Sequence, residues 1–236
     1  MLFVHETHRV VGRQEDEFDT ALREGWMPAL AATDDARLVW VCRQAHGTGP
    51  SYSVVTITAI SSADAWARLA ARATTGDLRA VVEGIDRNRH DVISTVLAPV
   101  SWSPLQEVDL ASVPTGGDAR DQHLFMEDTA WPYRDRLEDY LAQAGTQYAG
   151  QLAEGARRGG SLLELVAAFQ PLWGTGRWRE VVLWQRVTRP ERLLGLLQNE
   201  VPAEYRAPGT WMHDALDLRD RWESRLLRTA PWSPMA

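Results

Sequence analysis

The chain closes two of its segments with the same three residues. "ISTVLAPVSWSP" runs from Ile93 to Pro104 and "ESRLLRTAPWSP" from Glu223 to Pro234, which sets Trp102 and Trp232 130 residues apart. Two further pairs keep the same order. "HGTG" from His46 matches "WGTG" from Trp173 at a spacing of 127, and "LFVHET" from Leu2 matches "LFMEDT" from Leu124 at 122. Spacings that drift in one direction along the chain are what small insertions leave between two copies. A repeat of this length constrains every later inference, because each copy must build the same supersecondary unit. The 236 residues are a tandem duplication.

Both copies carry one pattern. A short strand comes first, at Leu2–Val10 and His123–Asp128. An amphipathic helix follows, with apolar residues at helical spacing: Phe18, Leu22, Trp26 and Leu30, then Leu137, Leu141, Tyr148 and Leu152. Next are "RLVWVC" from Arg37 and "LLELVAAF" from Leu162, joined through Gly-Thr-Gly turns to "YSVVTITAI" from Tyr52 and "EVVLWQRV" from Glu180. Apolar runs joined by a few glycine-containing residues predict hairpins. Ser62 suits an N-cap and Pro190 a first helical turn. A second helical stretch (Leu78 to Asp86, and Thr210 to Asp220) then leads to the strand that ends at Trp-Ser-Pro.

The order β-α-β-β-α-β is ferredoxin-like. The segment from Leu105 to Gln122, rich in Pro, Gly and Asp, reads as a linker. The expected units are 1–105 and 123–236, with 106–122 between them. A four-stranded sheet with helices on one face leaves the other face bare, and the sister sheet is the expected cover. The predicted fold class is therefore α+β, two tandem ferredoxin-like βαββαβ units forming an intrachain α+β barrel. Sheet edges leave a homodimer open.

"ESRLLRTAPWSP" resembles the last strand of the NIPSNAP domain. "REVVLWQRVTRPERLLGLL" from Arg179 is similar to that family's third strand and following helix, and "FVHETHRVVGRQEDEF" from Phe3 to its first strand and helix start. The likeness covers both copies. It implies a dimeric α+β barrel fold, shared by cofactor-free monooxygenases, lyases, isomerases and haem-binding dismutase-like enzymes. Where the family's first strand has a basic residue and an aromatic, this chain has Glu6 and His8. Where its third strand carries a histidine, this chain has Thr56 and Leu183. No catalytic residue carries over.

Composition closes off several classes of partner. A net charge of −7 opposes nucleic-acid binding, which needs clustered cations, and the chain contains no lysine. Arg- and Ala-rich usage suggests a bacterial source. Cys42 is the one cysteine, so an intrachain disulfide and a Cys-based zinc site are ruled out. The N-terminus lacks a signal-peptide pattern, and no apolar run approaches the roughly 20 residues of a membrane helix. A cytoplasmic protein that avoids membranes is the expectation.

Four of six histidines, His5, His8, His46 and His90, fall in the first copy. Their counterparts are Glu127, Ala130, Trp173 and Asp220, so a site is expected in the first copy. On a strand, Glu6 and His8 share one face and lie about 7 Å apart at the backbone, while His5 and Thr7 share the other. Glu6 would orient or charge-stabilise His8, the expected general base, with His5 as a further candidate. Trp26 and Trp40 are the expected pocket walls. A metal held by His5, Glu6, His8 and His46 is the rival use of the same residues, but His5 and His8 point to opposite faces. Haem rests on fold analogy alone, and no cofactor is expected. "HGTG" lies between strands and reads as a hairpin turn; His46, His90, His123 and His213 read as solvated.

The expected ligand is a small apolar or aromatic metabolite, handled by a cofactor-free isomerase, lyase or monooxygenase. The rival is a non-catalytic binding or assembly protein with a packed interior. An enzyme predicts a cavity of a few hundred cubic ångströms between the two sheets, open to Glu6 or His8.

Overall fold

The computed structural model describes residues 1–177 and 179–235. The first copy folds as β1 (Leu2–Val10), a helix in three parts, β2 (Ala36–Gln44), β3 (Ser53–Ile60), α3 (Ala63–Thr74), α4 (Arg79–Asp86) and β4 (Arg89–Pro99). The three-part helix is α1 (Glu15–Thr20), a π-helical turn (Ala21–Trp26) and α2 (Met27–Ala31). The second copy repeats it: β5 (Leu124–Trp131), α5 (Leu137–Gln143), a π-helical turn (Ala144–Tyr148), α6 (Ala149–Arg157), β6 (Leu163–Pro171), β7 (Val181–Val187), α7 (Leu193–Gln198), α8 (Trp211–Asp214) and β8 (Arg221–Thr229). The strands make an antiparallel sheet in the order β1-β3-β2-β8-β5-β7-β6-β4.

Local chemistry sets the elements. β2 is buried from Ala36 to Cys42 and β3 along its whole length, which a strand covered on both faces requires of an almost continuous apolar run. Ser62 caps α3, its Oγ accepting the Ala65 N–H at 3.1 Å. Each π turn falls at the same point of the repeat and widens the helix by one residue. Trp26 ends the first and Tyr148 the second.

The compact units are not the two halves of the chain. One contains Met1–Ala98, Glu107–His123 and Leu226–Ala236; the other contains Pro99–Gln106 and Leu124–Arg225. In the first, Phe18, Leu22, Leu30, Leu38, Val41, Leu69 and Ile85 form a core between sheet and helices, joined by Ala230 and Trp232 from the C-terminal tail. In the second, Tyr140, Ala144, Leu165, Leu183, Trp211 and Leu218 form the equivalent core, joined by Val100. The 107–123 stretch packs in the first unit through Leu110 and Val113, and Arg120 N–H reaches Pro231 O at 2.6 Å.

The repeated Trp-Ser-Pro now has a physical account. β2 and β6 each carry a bulge, between Leu38 and Trp40 and between Leu165 and Ala167. Just beyond it, Val41 N–H donates to Ser233 Oγ at 3.1 Å, and Ala168 N–H to Ser103 Oγ at 2.9 Å. Ala230 N–H and Val100 N–H fill the carbonyls of the same two residues at 2.7 and 3.0 Å. Trp232 Nε1–H donates to Asp19 Oδ2 at 2.7 Å. Trp102 instead lies against Gly145, where a Cβ would sit 2.6 Å from its Cδ1, so only glycine fits.

Removing either serine hydroxyl strands a buried backbone donor. Ser233→Ala and Ser103→Ala should each lower the free energy of unfolding by about 1–3 kcal/mol. Urea denaturation reads this out, with the exposed Ser101→Ala as a near-neutral control.

Candidate active site

A cavity of about 220 Å³ opens inside the first unit, between its sheet and its own helices. This cavity is thus distinct from the expected location between two sheets. Alternation on β1 puts Val4, Glu6 and His8 on the helix-facing side, and they form the floor with Thr58 of β3 and with Arg89 and Ser94 of β4. The walls are apolar: Leu22 and Trp26 from the π turn, Trp66 and Leu69 from α3, Val82 and Ile85 from α4. Ala70 and Ala73 on α3 are too small to fill the space, and Trp66, 40% exposed, stands where the chamber meets solvent.

The polar floor is one directed chain of hydrogen bonds. Arg89 Nη1 lies 2.7 Å from His8 Nδ1, and a guanidinium can only donate, so Nδ1 is the acceptor. The imidazole proton is thereby assigned to Nε2, which donates to Thr56 Oγ1 at 3.0 Å. The Thr56 hydroxyl in turn donates to Glu6 Oε2 at 3.4 Å. Asp86 holds the far end through Arg89 Nε at 2.8 Å and Nη2 at 2.5 Å. Oε1 of Glu6 accepts no bond among the described residues.

Burial shifts both titratable groups away from charge. Desolvation pushes the Glu6 carboxyl above its ordinary value of 4.5, against the pull of Arg89 and the Thr56 hydroxyl. Glu6 keeps some surface open to the cavity, but the protein around it replaces most of its hydration. Desolvation, then the Arg89 charge, then His5 hold the His8 imidazole down to about 3. His8, 1% exposed and packed 5.2 Å from the Phe18 ring, stays neutral with both nitrogens engaged. Burial thus keeps the His8 imidazole neutral near pH 7 and moves the Glu6 carboxyl upward.

Similarity to solved structures runs over the whole chain. A "putative monooxygenase" from Lactobacillus acidophilus matches 99% of this chain and 97% of its own at 9% identity, with a TM-score of 0.60. An "anthrone oxidase-like protein" matches 97% of this chain and 91% of its own at 8% identity, TM-score 0.56. The fold is an α+β barrel. A NIPSNAP domain protein from Burkholderia xenovorans also matches, at 22% identity, over 44% of this chain and 100% of its own, with a TM-score of 0.36. No family model matches the chain. No curated protein matches it.

In the barrel's second unit the same positions are dealt differently. The repeat spacings and strand registers place Asp128 at the position of Glu6, Gln185 at Thr58, Tyr148 at Trp26, Ser224 at Ser94 and Arg219 at Arg89. Ser224 Oγ donates to Asp128 Oδ1 at 2.5 Å, Gln185 Nε2 to Asp128 Oδ2 at 2.9 Å, and the Tyr148 hydroxyl to Gln185 Oε1. Burial raises the Asp128 carboxyl as it does Glu6. Both of its oxygens are nevertheless taken by side chains of its own unit. Arg219 lies 5.5 Å from the Trp222 ring, where Arg89 would serve a histidine.

The structure brings Glu6, His8 and Trp26 together and leaves His5 and Trp40 outside this cavity. His5 faces the opposite side of β1. Trp40, 1% exposed, pairs with Ile57 because the bulge in β2 switches its face, so it does not share the side of Leu38. Sequence reasoning missed Thr56, Thr58, Ser94, Arg89 and Trp66. Only the first-strand acid had a signal, its repetition as Asp128. Among the described residues no group of three or more His, Cys, Asp and Glu could hold a metal ion, and no helix is long and apolar enough to cross a membrane.

The His8 shift has a pH signature. An unfolded imidazole binds its proton below about 6.5, the buried one only near 3, so His8 lowers stability as the pH falls through that window. Glu6 acts with the opposite sign, its contribution being complete below 4.5 and lost as the pH rises. His8→Gln, whose amide can still accept from Arg89 and donate to Thr56, should flatten the loss of stability between pH 6.5 and 3. Urea midpoints across that range test it; an unchanged acid limb would refute the assignment.

Proposed function

We propose that the first unit of the barrel binds a small, flat, largely apolar metabolite and removes a proton from it, with Glu6 as the base and no cofactor. The observation that carries this reading is a desolvated carboxyl group with one oxygen uncommitted, set in the polar floor of a chamber with apolar walls. A base is most useful when burial brings its pKa towards the working pH. The proton would pass from a carbon or hydroxyl acid to Glu6 Oε1, leaving the electron pair on the substrate. The Arg89 guanidinium in the chamber floor would stabilise that anion. Returning the proton to another carbon completes an isomerisation. A carbanion can also give electrons to dioxygen, which links the site to the oxidation chemistry in the names of two of its whole-chain neighbours.

The residues of this cavity do not suit haem or a metal. Both nitrogens of His8 are committed, and His5 lies on the other face of the strand, so the floor offers no imidazole lone pair to iron. His8 and Thr56 are positioning residues in this reading, Arg89 meets the developing anion, and Trp26 and Trp66 grip the ligand's faces.

Exchange of the acidic deuterons of a flat bicyclic ketone, 2-indanone, into water tests the proposal by NMR. The wild type should accelerate exchange, and Glu6→Gln should slow the catalysed rate by about 100-fold or more. An undiminished rate in Glu6→Gln removes Glu6 as the base. Binding without exchange in the wild type would leave a non-catalytic binding protein instead.

A further inference from the structure

Thr58 is a cavity-floor residue whose fully buried hydroxyl is left over. It is 2% exposed, lines the chamber, and its Oγ1 meets no hydrogen-bond partner among the described residues. Buried hydroxyls ordinarily find a partner, and one that does not marks a place where something else binds. The apolar residues flanking it in the chamber, Val4, Leu69, Ala70 and Ala73, offer no acceptor. The contrast with the second unit is direct, because Gln185 at the matching position is bonded to both Asp128 and Tyr148.

Its place in the sheet sets a distance. Across the β1–β3 ladder Thr56 faces Glu6, whereas Thr58 faces Val4, two residues further along the same side. Two residues of antiparallel strand span about 7 Å. On the β1–β4 ladder Ser94 also faces Glu6, so polar groups gather at the Glu6 end and Thr58 stands alone at the other. Between them the walls are indole and alkyl.

We infer that Thr58 is a second polar anchor, and that the ligand of this chamber is a planar bicycle with two oxygen functions on opposite edges, an acidic one at Glu6 and a hydrogen-bonding one at Thr58. This rests on the proposed function in taking the chamber as the binding site. A molecule with one oxygen satisfies Glu6 and leaves the Thr58 hydroxyl buried and unpaired. A second oxygen about 7 Å away pairs it. Specificity then follows from the penalty of a stranded buried hydroxyl and not from shape alone.

Calorimetric titration of 2-naphthol and 2,6-dihydroxynaphthalene into the wild type, Thr58→Val and Thr58→Ser tests this. The wild type should prefer the diol by about tenfold, the worth of one buried hydrogen bond. Thr58→Ser should keep that preference. Thr58→Val, which is nearly the same shape, should bind 2-naphthol as the wild type does and lose the preference. Free Thr58→Val should be no less stable than wild type towards urea, since it loses an unpaired group. Equal preference for the diol in wild type and Thr58→Val, or none in the wild type, overturns the inference while the chamber reading stands. Failure of both compounds to bind the wild type overturns both.

Discussion

Two backbone N–H groups, those of Val41 and Ala168, carry the architecture. Each follows a bulge in the strand that ends its copy's run in the sheet order, β2 and β6, where the ladder falls out of step and cannot supply the expected partner. Buried amides of this kind cost too much to leave open. A serine hydroxyl from a distant part of the chain supplies the acceptor in both cases. That requirement explains why Trp-Ser-Pro occurs twice and why the tail after each last strand belongs to a compact unit other than the one holding most of its half. The bulge also fixes side-chain direction. It sends Trp40 to one face and Val41 to the other, so the helix-facing side stays lined by Leu38 and Val41 and the indole is kept from the chamber.

The chamber exists because small residues stand opposite the polar floor. Ala70 and Ala73 occupy helix positions where larger side chains would reach the sheet, and the π turn presents Trp26 at the rim. The apolar walls that make room for a flat molecule are also what strip water from Glu6 and His8. One cause therefore produces the shape of the site and its electrostatics. The two groups respond in opposite directions because desolvation opposes whichever form carries charge. Burial makes the imidazole give up its proton more readily and makes the carboxyl hold its own to higher pH.

The repeat, the α+β class and the strand order within each copy were legible in the sequence, because apolar periodicity and turn chemistry report on local structure. Glu6, His8 and Trp26 could be placed on one site because strand alternation and helix spacing held at those positions. What escaped were register shifts. A β-bulge turns Trp40 over, and a π turn adds a residue to a helix; neither leaves a mark in a pattern of period 2 or 3.6. Thr56, Thr58, Ser94 and Arg89 escaped for another reason. Thr58, Ser94 and Arg89 reach the chamber, and Thr56 reaches His8 and Glu6, from strands distant in sequence, and a lone threonine, serine or arginine on a strand looks like any other. The electrostatics of His8 were not legible because they come from its burial and from the Arg89 guanidinium at Nδ1, which only the fold brings to it.

The direction of the hydrogen-bond chain decides what this floor can do. Arginine has no lone pair to accept a proton, so the chain can run only from Arg89 through His8 and Thr56 towards Glu6. Every link delivers a donor to the next, and the last delivers one to the carboxylate. The effect is to favour the ionised form of Glu6 against the desolvation that opposes it, which keeps the group ionisable inside an apolar wall. In the second unit the equivalent acid receives two donors, from Ser224 and Gln185, and both its oxygens are filled. There the Gln185 amide stands where the first unit has the unpaired Thr58. The same buried acid has thus been kept twice, once open to a guest and once closed on its own neighbours. The difference is made by four substitutions around a shared frame: Thr56 to Leu183, Thr58 to Gln185, Trp26 to Tyr148, and His8 to Ala130.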